Sequence, residues 1–435
     1  MTSNTLLPVD RQAVTDRSRG AGEPEWLTEL RLKGLELAGE LELPRLEKTR
    51  IDRWNWTSIG LPGEVKRAAG NEGTAELSAL LPSEEHRGNA LVQRGSAVVH
   101  RELADEWKAK GVIFTDLETA AHEHAELVRP YLMKAVAAGE HRLTALHAAL
   151  WNGGIFLYVP KNVAVEVPLY ASFVADAAES VLAPHVLIVA EEGSSVSYVE
   201  QYQSSGTTDG EQVVPTVAEV YAASGAHVRY ASIHNLGPAV IDVAYRRAVL
   251  ERDARMEWVV GEMNAGNGIS DTTTLLNGNG SSADAKVICV GDGEQRLNLV
   301  TRNVHVGKAT ESDMSMRAVV REAATAIVGG ITKIEKGATG ANGQQAEKVL
   351  MLSPSARGDA NPILLIDEDD VKAGHAASVG QVNPEQIFYL MSRGLSREEA
   401  ERLVIYGFLA PVVAEIPIPE LEKQFRQLVE RKLGQ

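Results

Sequence analysis

The feature that most constrains this chain is a long run of short strands punctuated at regular intervals. Over 155–371 the sequence alternates β-branched and aromatic segments with turns of Gly, Ser, Asp and Asn. Segments 186–190, 196–202, 217–222, 228–234 and 255–260 are examples. The turns recur as Gly193-Ser194, Gly225-Ala226, Asp253-Ala254, Ser282-Ala283, Lys308-Ala309 and Gly337-Ala338. Their spacing of roughly 27–32 residues is that of stacked structural repeats. With no helical pattern between the strands, the run predicts a parallel β-helix, a solenoid. A β-sandwich is the alternative, but a sandwich domain typically needs only about 100 residues.

Helical patterns flank this core. Residues up to Gly20 read as a loose tail. Trp26, Leu27, Leu30, Leu35 and Leu37 then recur at helical spacing over 25–41, and Trp54 and Trp56 read as anchors. The stretch 60–118 is mixed, with short strands at 97–100 and 111–114. A helical stretch over 117–151 stops at Asn152-Gly153-Gly154. Beyond the strands, Asn383 caps a helix over 385–393, with Pro384 at its first position and Gly394 at its end. Ser396 to Glu399 is a capping box opening a second helix, with Ala400, Leu403, Val404 and Phe408 on one face. Pro411, Pro417 and Pro419 interrupt, and a third helix covers 420–433. The expected organisation is a largely helical region at 1–151, a β-helix at 152–371 and a C-terminal region at 372–435.

Composition narrows the function. A net charge of −16 repels a phosphate backbone, so nucleic acid is not an expected partner. No apolar run reaches the ~18–20 residues that span a bilayer. Residues 1–20 are polar and lack an apolar signal core, so the expected location is cytoplasmic, away from membranes. The lone Cys289 excludes an internal disulfide, a CxxC site and a four-thiolate cluster. It lies in an apolar strand and reads as a small hydrophobe. Walker, GxSxG and HExxH motifs are absent. His122, His124, His141 and His147 read as surface or cap histidines, and His227, His234 and His305 as strand residues lining the solenoid or its edge. The carboxylates of Glu191-Glu192 and of 367–370 sit in turns. A carbohydrate-active β-helix enzyme with paired carboxylates is therefore weakly supported, yet stays open.

Three long motifs carry a family resemblance. Asn152 to Val163 (NGGIFLYVPKNV), followed by Val167-Pro168-Leu169, resembles the opening of the β-helix in the SufB/SufD family of iron–sulfur cluster assembly proteins. Asp369 to Gly380 (DDVKAGHAASVG) is similar to that family's C-terminal core motif, and Glu385 to Ser396 to its first C-terminal helix. Glu23 to Leu27 (EPEWL) also resembles an N-terminal feature of the SufD branch. That branch is favoured twice. The core motif reads His375-Ala376-Ala377 where SufB homologues show His-Glu-Ala. The stretch 344–352 has no cysteine, and the position of the sulfur-carrying SufB thiol falls near Glu347.

The resemblance implies a non-catalytic scaffold subunit of an ATPase-driven complex. Its partners would be a SufB-like subunit, forming a heterodimer, and a SufC-like ABC ATPase; whether the chain alone forms a homodimer stays open. His375 is then the candidate iron ligand, shared with a partner thiolate. A thiolate with an imidazole suits a nascent cluster that must later leave. No cofactor is expected to stay on the isolated chain, only transient iron or a nascent cluster in the complex. Phe388, Met391 and Phe408 are the candidates for ATPase docking. A SufB-like homodimeric scaffold is the alternative.

Overall fold

The computed structural model describes residues 9–59, 80, 84–176, 181–205, 212–414 and 419–432. The N-terminal part holds helices α1 (Arg11–Gly20), α2 (Glu25–Glu40), α3 (Asp105–Ala109), α4 (Leu117–Glu123), α5 (Ala125–Val128) and α6 (Arg142–Leu150). Strands β1 (Ala90–Arg94), β2 (Ala97–Glu102) and β3 (Ile113–Thr115) lie among them. The solenoid follows as β4 (Gly154–Val159), β5 (Leu169–Asp176), β6 (His185–Ala190), β7 (Ser195–Ser205), β8 (Gln212–Ala222), β9 (His227–Asn235), β10 (Val240–Leu250) and β11 (Arg255–Glu262). It continues as β12 (Gly268–Leu276), β13 (Ser282–Gly291), β14 (Arg296–His305), β15 (Glu311–Val320), β16 (Thr325–Ile334), β17 (Asn342–Met351), β18 (Arg357–Ile366) and β19 (Lys372–Gln381). Helices α7 (Pro384–Ser392), α8 (Arg397–Val413) and α9 (Pro419–Lys432) complete the chain.

Successive strands alternate between two facing sheets. Odd strands from β5 to β19 stack in order in one, even strands from β4 to β18 in the other. All these contacts are parallel, so each pair of strands is one coil of a β-helix of about seven turns. The ladder Arg255–Ser282–Glu311–Asn342–Lys372 advances by 27 to 31 residues per coil. One corner shows why the period holds. Gly193, Gly225, Asp253, Gly280, Ala309 and Gly340 all adopt positive φ. Each donates its N–H to a carbonyl of the next coil, as in Gly280 N to Lys308 O at 2.9 Å and Ala309 N to Thr339 O at 2.9 Å. A small buried residue follows in each coil, such as Ala226, Ala254, Ser281 and Thr310.

The two ends differ. At the start, the β1–β2 hairpin flanks β5 and β3 pairs antiparallel with β4. The NGG motif makes this closure. Asn152 Nδ2 donates to Val181 O at 2.7 Å, its Oδ1 accepts from Ala183 N, and Gly154 N donates to Gln93 Oε1. Gly154 has φ +94°, and a Cβ there would overlap the His185 backbone, so only glycine fits. Helix α2 is tied down by Arg31, which pairs with Glu23 at 2.7 Å and donates to Trp151 O at 2.9 Å, fully buried. Burial opposes the Glu23 charge, but the Arg31 guanidinium outweighs it and holds the carboxyl below its ordinary pKa. Removing one partner of such a pair typically costs about 3–5 kcal/mol. At the other end, no described strand follows β18 or β19.

Several expectations need correction. Residues 11–20 form α1, not a loose tail: Asp10 accepts from Ala13 N, and Val14 and Ser18 are buried. The first eight residues and most of 60–83 lie outside the described residues. The stretch 117–151 is three helices separated by turns. His147 is buried rather than a surface residue, sharing a 3.2 Å hydrogen bond with His185, which donates to Glu219 at 3.0 Å. Glu219 also accepts three backbone N–H groups from 133–136, which holds the turn segment on β8. Strand pairing runs past 371, because β19 stacks on β17. Pro411 lies inside α8, near its end, where the i−4 residue is Gly407.

The left-handed corner yields a prediction with two signs. Ala309 sits at φ +52°, so Ala309→Gly should stabilise by about 1 kcal/mol. Gly280→Ala places a Cβ against Asp253 at φ +72° and should destabilise by about 1–2 kcal/mol. Thermal unfolding of both variants checks this; shifts of the same sign would contradict the corner's role.

Candidate functional site

Side chains along a strand alternate between lumen and exterior, and the parallel register stacks them in columns. One column is Leu169, Tyr198, Tyr230, Trp258, Ala285, Met314, Gln345 and His375. Every member is buried except the last. His375 therefore continues the lumen lining at the open end of the solenoid, on the edge strand of its sheet, and is exposed. Around it the terminal coil exposes Leu365, Ile366 and Val379. Ala373 and Gly374 precede it, so the strand is slender there.

The next column holds Met316, Glu347 and Ala377. Glu347 is fully buried, and neither carboxylate oxygen has a hydrogen-bond partner. Burial pushes its pKa up to about 7. Its neighbour Gln345 is fully engaged, accepting from Thr332 Oγ1 at 2.7 Å and donating to Gly330 O at 3.2 Å.

Deeper in the lumen, His234, Asp242 and Glu262 bring three ligand-type atoms within 4.8 Å of one another. This network already contains its cation. Arg246 Nη2 donates to His234 Nε2 at 2.6 Å and lies 3.4 Å from Glu262 Oε1, while His234 Nδ1 faces Asp242 at 2.7 Å. Ser232 and Glu200 extend it, with Tyr202 stacked on His234. A metal ion would have to displace a buried guanidinium, so the network reads as a register lock. Sequence reasoning placed His234 on a strand but did not find its partners, which come from three different coils. Cys289 lies one coil further along the same column, buried, its thiol pushed up to about 12 by desolvation. Such a thiol is inert. His305 is held by Thr310 and Ser312, both at 2.8 Å. His227 pairs with Glu257 on the outer face.

The docking candidates divide. In α7 only Ile387 is buried, while Phe388 is 72% exposed and Tyr389 and Met391 are also exposed. Phe408 is half-buried under the Arg317 guanidinium, 5.5 Å from its ring, and Arg317 donates to Phe408 O. Phe408 lines the floor of a groove of about 420 Å³ with Leu350, Gln386, Leu390, Leu403 and Val404. The opposite face of α8, with Ile405, Leu409 and Val412, packs on Val259, Ile288, Val290 and Val319 of the sheet. No described helix is long and apolar enough to cross a membrane.

The described residues thus form a parallel β-helix with helical flanks, an exposed histidine on its terminal edge strand and an exposed apolar face on α7. Comparison with known proteins gives the family. The family profile described as "SUF system FeS cluster assembly, SufBD core domain" matches residues 173–408, and the "SufBD protein N-terminal region" matches 93–170. The chain is 49% identical over the full length of both sequences to the "Iron-sulfur cluster assembly protein SufD" of Bacillus subtilis. It is 30% identical to an "Iron-sulfur cluster assembly SufBD family protein" of Staphylococcus epidermidis, over 93% of this chain and 89% of that one. The chain belongs to the SufB/SufD family of the SUF iron–sulfur cluster assembly system, and within it is most like SufD.

Glu347 makes stability depend on pH. An unfolded Glu releases its proton near 4.5, whereas the folded group keeps it to about 7. Between these values the folded state binds more protons, so its contribution is full below 4.5 and lost as pH rises through 7. Glu347→Gln should remove that loss and stabilise the protein by on the order of 2 kcal/mol at pH 8. Denaturant unfolding at pH 5 and pH 8 measures it; equal wild-type and variant slopes with pH would contradict the assignment.

Proposed function

We propose that this chain is a SufD-type scaffold subunit. It joins a SufB-type subunit through its open solenoid end, docks an ABC-type ATPase on α7 and α8, and helps hold iron while a nascent cluster forms. The observation that carries this reading is the position of His375, exposed on the terminal edge strand at the end of a lumen column. The edge of β19 offers unpaired backbone groups to a second chain, as in strand addition. A neutral imidazole is a borderline donor, and a partner thiolate would complete a weak, releasable site. Its work is cytoplasmic and non-catalytic, with iron and sulfide as cargo. The exposed Phe388, Tyr389 and Met391 beside the Phe408 groove support helix-in-groove docking of the ATPase.

Two variants test the two surfaces separately. His375→Ala should fold and assemble with both partners, yet the purified complex should retain severalfold less iron and acid-labile sulfide. Full iron and sulfide content in an intact complex would refute the ligand role. Phe388→Asp with Met391→Asp should weaken ATPase binding at least about tenfold, or 1.4 kcal/mol, with the β-helix unchanged by circular dichroism. Unaltered affinity in pull-down or calorimetry would contradict docking there.

A further inference from the structure

The geometry points to Glu347 as a second protein ligand, with His375, for a ferrous-type divalent ion at the open end of the lumen. This rests on the reading of His375 given above and adds a donor from the neighbouring strand. Glu347 faces the lumen, because Gln345 and Val349 on either side of it in the alternation are buried there too. Its carboxylate is wholly buried with both oxygens unpartnered, which is costly unless something else occupies that position part of the time. The carboxylate reaches across the lumen to the opposite sheet, where its Oε1 fills the space beside Gly330 that a Cβ would take.

Register brings the two donors together. Glu347 pairs with Ala377 and Gln345 with His375, so Glu347 and His375 are diagonal neighbours on one face of adjacent strands. The strands lie about 4.7–4.9 Å apart and the two residues are offset by two positions along them, which long side chains can span. A carboxylate and an imidazole converging on one ion need bonds of only about 2.0–2.2 Å each. Ala377, directly opposite Glu347, is too small to crowd the pair. Gln345, the other polar group at this level, is held by Thr332 and Gly330 and is not free to compete. The donor pair is one oxygen and one nitrogen with open positions, which suits Fe²⁺ before sulfide arrives better than a finished cluster. The ion binds the ionised carboxylate, and no oxidation is involved.

Cobalt(II) is a spectroscopic probe for such a site. The full-length chain is titrated with Co²⁺ at pH 7.5, and binding is read from the visible ligand-field bands. The wild-type chain should bind one Co²⁺. Glu347→Gln and His375→Ala should each weaken binding about 10-fold or more, and Glu347→Asp should fall between Gln and wild type. If Glu347→Gln fails to fold, Glu347→Ala, which empties the space beside Gly330, replaces it. Wild-type affinity in the Gln variant with weakened binding in His375→Ala overturns the role of Glu347 and leaves His375 standing. Wild-type affinity in His375→Ala, or no Co²⁺ binding by the wild-type chain, overturns the pair.

Discussion

Parallel stacking is the constraint from which the rest of this molecule follows. In a β-helix each coil satisfies its backbone groups with the coils before and after it, so the ladder has an unsolved problem only at its ends. The start is solved internally: the β1–β2 hairpin, β3 and the Asn152-Gly153-Gly154 turn close it. The far end is not solved by any described element. Strand β19 is ten residues long, with Ala, Gly and Ser through its middle, and its lysine sits at the extremity. Helices α7 and α8 leave the edge uncovered because α8 is committed to the outer face of the sheet, over Ile288 and Val319. A bare, slender edge of this length is a template for another chain, and it is where His375 stands.

Inside the lumen, two polar arrangements show how burial sorts residues by role. Around Arg246 the charges of Glu262 and Asp242 are met by a guanidinium, an imidazole and Asn264 within hydrogen-bond distance. Such a network fixes which coil sits over which, since the partners come from β9, β10, β11 and the following turn. Around Glu347 nothing is met. An unpartnered buried atom is not by itself a mark of function, since Asn303, Tyr230 and Asp284 carry them too; among the described residues Glu347 differs in being a buried carboxylate with both oxygens unpartnered, one strand from the open end.

Much of the fold was legible in the sequence because left-handed corners demand small or special residues at a fixed period. Gly193, Gly225 and Asp253 are visible for that reason, as are the helix caps at Asn383 and Ser396, whose side chains accept backbone N–H groups in the structure. What was hidden has physical causes too. In β10 every residue but one is buried, because the helical N-terminal part covers the outer face, so alternation does not reveal the lumen. In β15 and β17 the alternation is clear, and Gln345 and Glu347 fall on the inner side. The burial of His147 depends on α6 lying between α2 and β8, which no local pattern announces. The segment 372–381 reads as a motif rather than a strand, since Ala, Gly and Ser have low strand propensity; pairing with β17 overrides it.

The central claim is that the open end of the solenoid is where the SufB-type partner joins. Hydrogen–deuterium exchange of the backbone amides tests it most directly, comparing the chain at a dilution where it is monomeric with the chain saturated by that partner. The account predicts that amides of Arg357–Ile366 and Lys372–Gln381 gain the most protection, while the corner amides of Gly225 and Gly280 do not change. Protection confined to the N-terminal helices or to α7 and α8, with both terminal strands unaffected, would contradict it.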